Sequence, residues 1–312
     1  MSLYLRLSVT DRCNFFCRYC RPEKRAVDRP AKPLTDAEIL ELVSRIHGQR
    51  PLRKVRVTGG EPLVRPGLPA LVEALRALLP DAELCLTTNG YRLAELAEPL
   101  KGAGLDRLNV SLDSLSPARF VRLTGVDGLD RVKAGIRSAR RVGFDPLKLN
   151  AVLMRSVSGR ELVDMLRFAA AHRAELRFIE LMPMGVARRI YDQEYLPAAE
   201  ALGVLQQELT YLGPADPSST AQRHRFQVGR REVVLGLITP VSEPFCAHCD
   251  RIRLDSRGQL LGCLRRTEGS SLVEALRQDR PEQLAQAIEE VVGGKSIPEA
   301  SWPRSQMALI GG

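Results

Sequence analysis

The chain has 312 residues, 44% of them hydrophobic and 27% charged, which is typical of a globular protein with one large domain or one domain and a smaller companion. It contains no apolar run of about 18 residues, so no transmembrane helix is predicted. The charged N-terminus does not resemble a signal peptide, and the odd number of cysteines, seven, does not favour a disulfide framework. We therefore expect a cytoplasmic protein, and the net charge of +9 suggests an anionic partner.

Strand and helix patterns alternate about six times over the first 180 residues. The predicted strands are Leu3–Val9, Lys54–Thr58, Glu83–Thr87, Arg107–Leu112, Leu147–Leu153 and Glu175–Leu181. The predicted helices are one capped by Thr35, then Leu68–Leu79, Arg92–Lys101, Asp130–Val142 and Gly159–Ala171. This alternation predicts parallel βαβ units and, with six units rather than eight, a partial (βα)6 TIM-like barrel of the α/β class. In such folds the chemistry lies beyond the carboxyl ends of the strands.

The alternation weakens after Leu196. A predicted helix, Pro197–Leu209, precedes residues 211–221, which are rich in Pro, Ser and Gly and are predicted to form a linker. Short antiparallel strands are predicted at Phe226–Val228, Glu232–Val241 and Arg251–Leu254, and helices at Leu272–Gln278 and Glu282–Val292. We predict two units, the partial barrel over residues 1–210 and a smaller α+β region over 211–312.

Three cysteines, Cys13, Cys17 and Cys20, follow the first predicted strand with the spacing Cys-x3-Cys-x2-Cys. Thiolates are soft ligands, and three on one loop favour an iron–sulfur cluster. A [4Fe–4S] cluster has four irons, so three thiolates leave one iron open to a non-protein ligand. The alternatives are three unrelated thiols or a zinc site. Zinc would need a fourth ligand close by, and the nearest histidine, His47, lies beyond a predicted helix.

A second set, Cys246, Cys249 and Cys263, has the spacing Cys-x2-Cys-x13-Cys. Zinc is a serious alternative here, because His248 or His224 could complete a tetrahedral site. We favour a second iron–sulfur cluster, since a histidine between two close cysteines is poorly placed to join the same ion. Such a cluster would again leave an iron open, this time for substrate. The remaining cysteine, Cys85, is predicted to be a small buried hydrophobic residue.

Five basic residues stand in apolar, strand-like contexts. They are Arg6, Lys54, Arg56, Lys148 and Arg177. Alternation turns such side chains to one face of a strand, and if that face is the barrel interior they are buried cations that need anions. A triphosphate supplies about four negative charges, and arginine binds its oxygens bidentately. The alternative is that these side chains face helices and pair with Glu or Asp, or reach the solvent.

The first cysteine set resembles the signature of the radical S-adenosylmethionine (SAM) enzymes, in which SAM chelates the open iron. Essentially the whole chain resembles one of their families, the GTP 3′,8-cyclases of molybdenum cofactor biosynthesis. The motifs that carry this resemblance are residues 5–13, 54–62, 87–90, 109–113, 177–183, 249–253 and the terminal Gly311-Gly312. The resemblance implies two [4Fe–4S] clusters and the conversion of GTP, with SAM, into (8S)-3′,8-cyclo-7,8-dihydroguanosine 5′-triphosphate. A downstream cyclic pyranopterin monophosphate synthase would then use this product.

The resemblance also implies roles for single residues. SAM contacts are expected at Tyr19, Gly59, Gly60, Glu61, Ser111 and Met182. GTP contacts are expected at Arg6, Lys54, Arg56, Thr87, Lys148, Arg177, Arg251 and Arg253, although Thr87 could serve either ligand. The catalytic group is expected to comprise Cys13, Cys17, Cys20, Arg251 and Arg253, with the Gly311-Gly312 tail reaching into the active site.

Two other functions remain open at this stage. A radical SAM enzyme that modifies peptides could also carry a second cluster, but it would not need five cations on its strands. A basic zinc-binding module could contact nucleic acid, but it would not explain the βα alternation. We expect GTP, an unidentified electron donor and the downstream synthase as partners, with no nucleic-acid or membrane partner, and a homodimer is left open.

Overall fold

The computed structural model describes residues 2–21, 32–157, 159–216, 220–266, 269–295 and 302–303. In these ranges, six strands follow one another in parallel register: β1 (Leu3–Ser8), β2 (Leu52–Thr58), β3 (Glu83–Thr88), β4 (Arg107–Ser111), β5 (Leu147–Leu153) and β6 (Ala174–Glu180). The helices between them are α1 (Asp36–Gln49), α2 (Leu68–Leu78), α3 (Leu93–Gly102), α4 (Pro117–Thr124), α5 (Leu129–Arg141) and α6 (Gly159–Ala171). The predicted βα alternation is confirmed, and α4 is an additional helix that the pattern did not indicate.

The later elements are α7 (Tyr191–Glu194), α8 (Ala198–Glu208), β7 (Thr210–Ala215), β8 (Gln222–Val228), β9 (Arg231–Ile238), β10 (Arg251–Leu254), β11 (Gln259–Leu261), β12 (Ser270–Ser271), α9 (Val273–Arg277) and α10 (Pro281–Gly293). Short 3-10 turns lie at Pro62–Val64, Gly185–Arg189 and Cys246–His248. None of the described helices is long and apolar enough to cross a membrane.

Across the described ranges, the strands form one sheet in the order β12-β11-β10-β1-β2-β3-β4-β5-β6-β9-β8-β7. The two end strands, β12 and β7, do not pair with each other there, so the sheet is a partial, unclosed barrel, as predicted. The C-terminal strands extend both edges of this sheet, because β10 pairs in parallel with β1 and β9 pairs in parallel with β6. The prediction that these strands are antiparallel is therefore wrong for those two pairings, although β8 and β9 are antiparallel to each other.

The predicted linker at residues 211–221 is wrong over its first half. Residues Thr210–Ala215 form β7, which pairs antiparallel with β8 and shifts register between Tyr211 and Gly213. Gly213 has a φ of +105°, which glycine adopts without strain. The Gly and Pro content that suggested a linker therefore marks an irregular edge strand. The division of the chain at residue 210 stays a prediction, and the sheet runs through that position.

The two faces of the sheet differ in chemistry because side chains alternate along each strand. Leu5, Val55 and Leu149 belong to the face that packs on the helices in one large apolar core. Helix α1 adds Ile39 and Leu42 from its buried stripe, and its N-terminus is closed by the capping box that Thr35 predicts. The opposite face of the sheet is polar, and it lines the inside of the open barrel.

We predict that Gly135→Ala lowers the free energy of unfolding by about 1–3 kcal/mol, because the added methyl overpacks the contact between α5 and α3. Its Cβ would lie 2.6 Å from the carbonyl oxygen of Gly90 and 2.9 Å from Cβ of Leu93. Denaturant unfolding measures this change. Gly48→Ala in α1 is the matched control, because none of the surrounding atoms lies within 4 Å of the added Cβ. This variant should leave the free energy of unfolding unchanged or raise it by up to about 1 kcal/mol.

Candidate active site

The loop that carries Cys13, Cys17 and Cys20 follows β1 and is held by helix α4. The backbone N–H of Phe16 donates to the carbonyl of Thr124 at 2.7 Å, and that of Arg18 donates to Leu123 at 3.0 Å. The Phe15 ring packs edge-on against Phe120 of α4, with centroids 5.8 Å apart. The helix that the sequence pattern missed therefore fixes the first cysteine set.

The three thiols of this loop have the chemistry of an iron–sulfur donor set. Burial raises the pKa of Cys13 to about 11. Burial, followed by the nearby Asp113 and Cys20, raises the pKa of Cys17 well above its ordinary value. Protein groups alone therefore do not stabilise the thiolates here, whereas the irons of a cluster would. The donor chemistry of the loop fits the predicted cluster, but no three His, Cys, Asp or Glu side chains of the described residues are grouped as metal ligands.

The glycine pair after β2 lies directly against the cysteine loop. The Gly60 N–H donates to the carbonyl of Thr10 at 2.7 Å. A Cβ on Gly59 would sit 2.4 Å from the oxygen of Thr10, and one on Gly60 would sit 2.4 Å from the oxygen of Arg12. Only glycine allows the loop after β2 and the cysteine loop to approach each other so closely. The two glycines are therefore required for this packing, at the position where they are predicted to contact SAM.

Glu61 ties the ends of two neighbouring strands together. Its carboxylate, 2% exposed, accepts hydrogen bonds from Oγ1 of Thr88 at 2.6 Å, from N–H of Asn89 at 2.6 Å and from N–H of Leu63 at 2.9 Å. Burial raises its pKa to about 7. Asn89 in turn donates to Oδ1 of Asn14 at 2.8 Å, which links this end of the sheet to the cysteine loop.

Tyr19 is held beside the first cysteine set by a buried carboxylate. Its hydroxyl donates to Oδ2 of Asp113 at 2.6 Å, and Oδ1 of Asp113 accepts from the N–H of Val152 at 2.9 Å. Ser111, two residues before this aspartate, ends β4 on the same rim. The predicted SAM residues Tyr19, Gly59, Gly60, Glu61 and Ser111 therefore gather at the carboxyl ends of the strands.

The predicted cations lie on the inner face of the barrel. The register of β10, β1, β2 and β3 aligns inner-face residues in rows across the strands. One row consists of Arg253, Arg6, Arg56 and Cys85, and the row below consists of Arg251, Tyr4, Lys54 and Glu83. The inner face continues through Thr87, Asn109, Lys148 and Glu175, and through Ser111, Asn150 and Arg177. Arg56, Arg177 and Arg253 are only 6–7% exposed, so they do not point to solvent.

Two carboxylates on this face, which the sequence reasoning missed, pair with the cations. Glu83 forms ion pairs with Lys54 and Arg107. Glu175 forms ion pairs with Arg177, Arg223 and Lys148. Pairing with Glu was the alternative considered for these cations, and here it occurs inside the barrel rather than against the helices. Only the register of neighbouring strands reveals it.

Tyr4 is a further residue that the sequence reasoning missed. Nε of Arg56 donates to its hydroxyl at 2.5 Å, and the guanidinium carbon of Arg251 lies 5.5 Å from its ring centroid. Burial by itself would raise the pKa of Tyr4, but Arg56, Arg6 and Arg251 outweigh it and lower the pKa to about 8. Burial, with Arg56 and Arg251, lowers the pKa of Arg6 to about 10. The cations therefore outnumber the anions around this tyrosine.

Two amides of the inner face carry unsatisfied buried oxygens. Within the described part of the chain, Oδ1 of Asn109 and Oδ1 of Asn150 have no hydrogen-bond partner. Asn109 is 5% exposed and lies in register between Thr87 and Lys148. Buried polar atoms are normally bonded, so a ligand hydroxyl or amine fits this position. Thr87 itself accepts from Nη1 of Arg56 at 3.4 Å.

The second cysteine set lines a cavity of about 210 Å³. Cys246, Cys249 and Cys263 share it with Arg251, Arg253 and Met182. The cavity therefore joins the second cysteine set to β10 and to the predicted SAM contact Met182. The N–H of Arg265 donates to Sγ of Cys263 at 3.3 Å, and the Arg265 guanidinium covers the ring of Trp302. The three thiols therefore share one cavity with two strand-borne arginines.

The remaining residues named in the sequence analysis are three histidines, Cys85 and the C-terminal tail. The hydroxyl of Tyr211 lies 3.0 Å from Nδ1 of His224, which sits on β8, and His47 accepts from the N–H of Leu52 at 3.1 Å in a turn. Cys85 is fully buried, as predicted. The side chain of His248 and the Gly311-Gly312 tail lie outside the described residues.

Comparison with known proteins identifies the family. The radical SAM superfamily matches residues 7–169, and the molybdenum cofactor synthesis C-terminal family matches residues 174–299. A protein of Streptomyces coelicolor named GTP 3′,8-cyclase is 41% identical, with 99% of this chain and 93% of that protein covered. GTP 3′,8-cyclase 1 of Pseudomonas aeruginosa is 42% identical, covering 88% of this chain and 83% of that protein. This chain belongs to the GTP 3′,8-cyclase family.

A solved structure agrees with the fold of this cyclase-family chain. Streptococcus suis SuiB bound to its precursor peptide SuiA superposes with a TM-score of 0.65 over 94% of this chain and 66% of SuiB, just under two thirds of its length. The two sequences are only 17% identical, so the likeness concerns the radical SAM fold alone. Family membership thus decides between the cyclase and the peptide-modifying enzyme in favour of the cyclase.

We predict that one of the six tyrosines ionises with a pKa near 8, because the surrounding cations favour the phenolate of Tyr4. The ultraviolet absorbance of tyrosinate should therefore rise as the pH passes about 8. This step should vanish in Tyr4→Phe. It should persist in Tyr19→Phe, because burial and Asp113 raise the pKa of Tyr19 well above 10. A step that survives in Tyr4→Phe would contradict this description of the cation cluster.

Proposed function

We propose that this protein converts GTP, with SAM, into (8S)-3′,8-cyclo-7,8-dihydroguanosine 5′-triphosphate, the first step of molybdenum cofactor biosynthesis. Family membership supports the reaction. The observation that carries the site is the cation-rich inner face, which reaches from the cavity of the second cysteine set to the rim of the first. A triphosphate brings about four negative charges, which such a face can neutralise.

The first cysteine set is proposed to serve SAM. A [4Fe–4S] cluster on Cys13, Cys17 and Cys20 would supply the electron that cleaves SAM to a 5′-deoxyadenosyl radical. The chain itself orients SAM on the same rim. Carbonyls of the loop around Gly59 and Gly60 accept from the methionine ammonium, and the Ser111 hydroxyl bonds SAM's carboxylate or ribose. Tyr19, Glu61 and Met182 complete this group, with Met182 flanking the adenine.

GTP is proposed to lie along the inner face. Its triphosphate is bound by Arg6, Lys54, Arg56, Lys148 and Arg177, and Thr87 contributes a hydroxyl. Arg251 and Arg253 hold the nucleotide at the second cysteine set. Ring closure joins C3′ of the ribose to C8 of the guanine, so the sugar and the base must be fixed relative to each other. Anchoring both the phosphates and the purine on one rigid sheet supports this requirement.

The second set is proposed to hold another [4Fe–4S] cluster whose open iron binds the purine. Three thiols without a fourth protein thiol in the same cavity are consistent with this role among the described residues. We further propose a cytoplasmic location, an external electron donor, and a cyclic pyranopterin monophosphate synthase that takes up the product. A homodimer is compatible with the sequence.

We predict that protein prepared without oxygen contains about eight irons and eight sulfides per chain, two cubes of four. Cys17→Ala and Cys263→Ala should each hold about half as much, because each removes one thiolate from one set. Cys85→Ala, which lies in neither set, should keep the full content. Chemical analysis of iron, sulfide and zinc measures this. Stoichiometric zinc with little iron at either set would contradict the proposed cofactor at that set.

We predict that Cys17→Ala folds but releases no 5′-deoxyadenosine from SAM under reducing conditions, because the cluster that delivers the electron loses a ligand. Cys246→Ala is the matched control. It should still release 5′-deoxyadenosine, since the first set is intact, but should form no cyclised nucleotide. Chromatography of both products distinguishes the variants, and circular dichroism checks the fold. Release by Cys17→Ala at the wild-type rate would overturn the assignment of the first set.

A further inference from the structure

We infer that Glu175 is an internal counter-anion of the nucleotide site that competes with the phosphate chain and so makes binding depend on the number of phosphates. The inference rests on the proposed function, because it assumes that GTP occupies the inner face. Glu175 would be a specificity-determining residue with a negative charge, whereas the other residues proposed to bind the phosphates are positively charged or neutral.

Glu175 contacts two of the cations proposed to bind the triphosphate, Arg177 and Lys148, and a third cation, Arg223. Its Oε1 accepts from Nε of Arg177 at 2.5 Å. Its Oε2 lies 3.4 Å from Nη2 of Arg223 and 3.9 Å from Nζ of Lys148. The carboxylate is 8% exposed and Arg177 is 7% exposed, so water screens the group poorly.

The backbone keeps this arrangement in place. Glu175 and Arg177 lie on the same face of β6, and Arg177 is in register with Gly236 of β9. A Cβ on Gly236 would lie 3.2 Å from Cγ of Arg177 and 3.5 Å from Oε1 of Glu175. Because Gly236 has no side chain, the ion pair between Glu175 and Arg177 has enough space on the inner face.

One carboxylate among these contacting cations leaves an excess of positive charge. Burial, followed by the neighbouring Arg177, lowers the pKa of Lys148 to about 8 although Glu175 opposes the shift. The excess attracts an anion, but that anion must share its cations with Glu175. A monophosphate or diphosphate offers fewer charges against this competitor than a triphosphate does. A fixed carboxylate repels a ligand more strongly as the charge of the ligand rises, so it weakens all phosphate ligands and weakens the triphosphate most.

Glu83 pairs with Lys54 and Arg107 on the same face but has a more exposed side chain, 29% against 7% for Glu175. Solvent screens it better, so its competition with the ligand is weaker. Of the two carboxylates, the more buried Glu175 is therefore the stronger competitor of the ligand.

The test is calorimetric binding of inorganic tripolyphosphate, GTP and GDP to the cluster-loaded protein. Glu175→Gln keeps the side-chain volume and removes one charge, so it should bind tripolyphosphate tighter by on the order of tenfold. The preference for GTP over GDP should grow in the same variant, because the removed carboxylate repels the more highly charged nucleotide more strongly. Glu175→Asp keeps the charge and should retain the wild-type preference. Glu161→Gln, another buried and ion-paired glutamate, on α6, should leave all three affinities unchanged.

Removing a buried counter-ion can also impair folding. The effect of Glu175→Gln on tripolyphosphate binding is therefore also measured in the Arg223→Gln variant, because the double variant loses one positive and one negative charge and keeps the wild-type net charge. Tighter tripolyphosphate binding on adding Glu175→Gln in either background supports the inference. Unchanged or weaker binding overturns it, because Glu175 would then serve only to orient Arg177. Wild-type protein that binds tripolyphosphate but not GTP would contradict the proposed function and leave the inference to be decided by tripolyphosphate alone.

Discussion

The structure depends on a sheet that must bury several cations on one of its faces. Removing a charge from water is costly unless an opposite charge compensates for it. The apolar alternate positions pack on the helices and stabilise the sheet, which leaves the inner positions free for polar groups. Glu83 and Glu175 meet part of the need for anions, and the hydroxyl of Tyr4 accepts a hydrogen bond from Arg56. The cations of this face outnumber these carboxylates, and this excess of positive charge supports the proposal of an anionic substrate.

The cysteine loop shows how the rim is assembled around the same sheet. The loop is anchored on one side by α4, through Phe16 and Thr124, and on the other by the glycine pair after β2. Glu61 and Asn89 then connect the neighbouring strand ends to the loop. These anchoring contacts are made by the backbone and by side chains other than the thiols. Backbone packing, rather than the cluster alone, therefore defines the geometry of the first set.

Features with a local signal could be predicted from the sequence. Hydrophobic period and capping residues located the βα units, and α6 and β10 were predicted with the bounds that the structure shows. Edge strand β7 was missed because glycine and proline within an irregular strand resemble a linker. Helix α4 was missed because it has only eight residues. Glu83, Glu175, Tyr4 and Asn109 were missed because their significance depends on which strands lie side by side, which no single segment encodes.

Tyr4 and Glu175 contact the cations of this face in different ways. Tyr4, whose pKa is lowered to about 8, is mostly protonated at neutral pH, and an approaching phosphate chain would raise that pKa. The carboxylate of Glu175 is held in an ion pair with Arg177, which a bound phosphate chain must share. The tyrosine therefore offers the ligand little opposition, whereas the glutamate competes with it for the same cations. The cations that pair with Glu175 in the free protein thus bind a nucleotide against a competitor, which moderates the affinity for the most highly charged one.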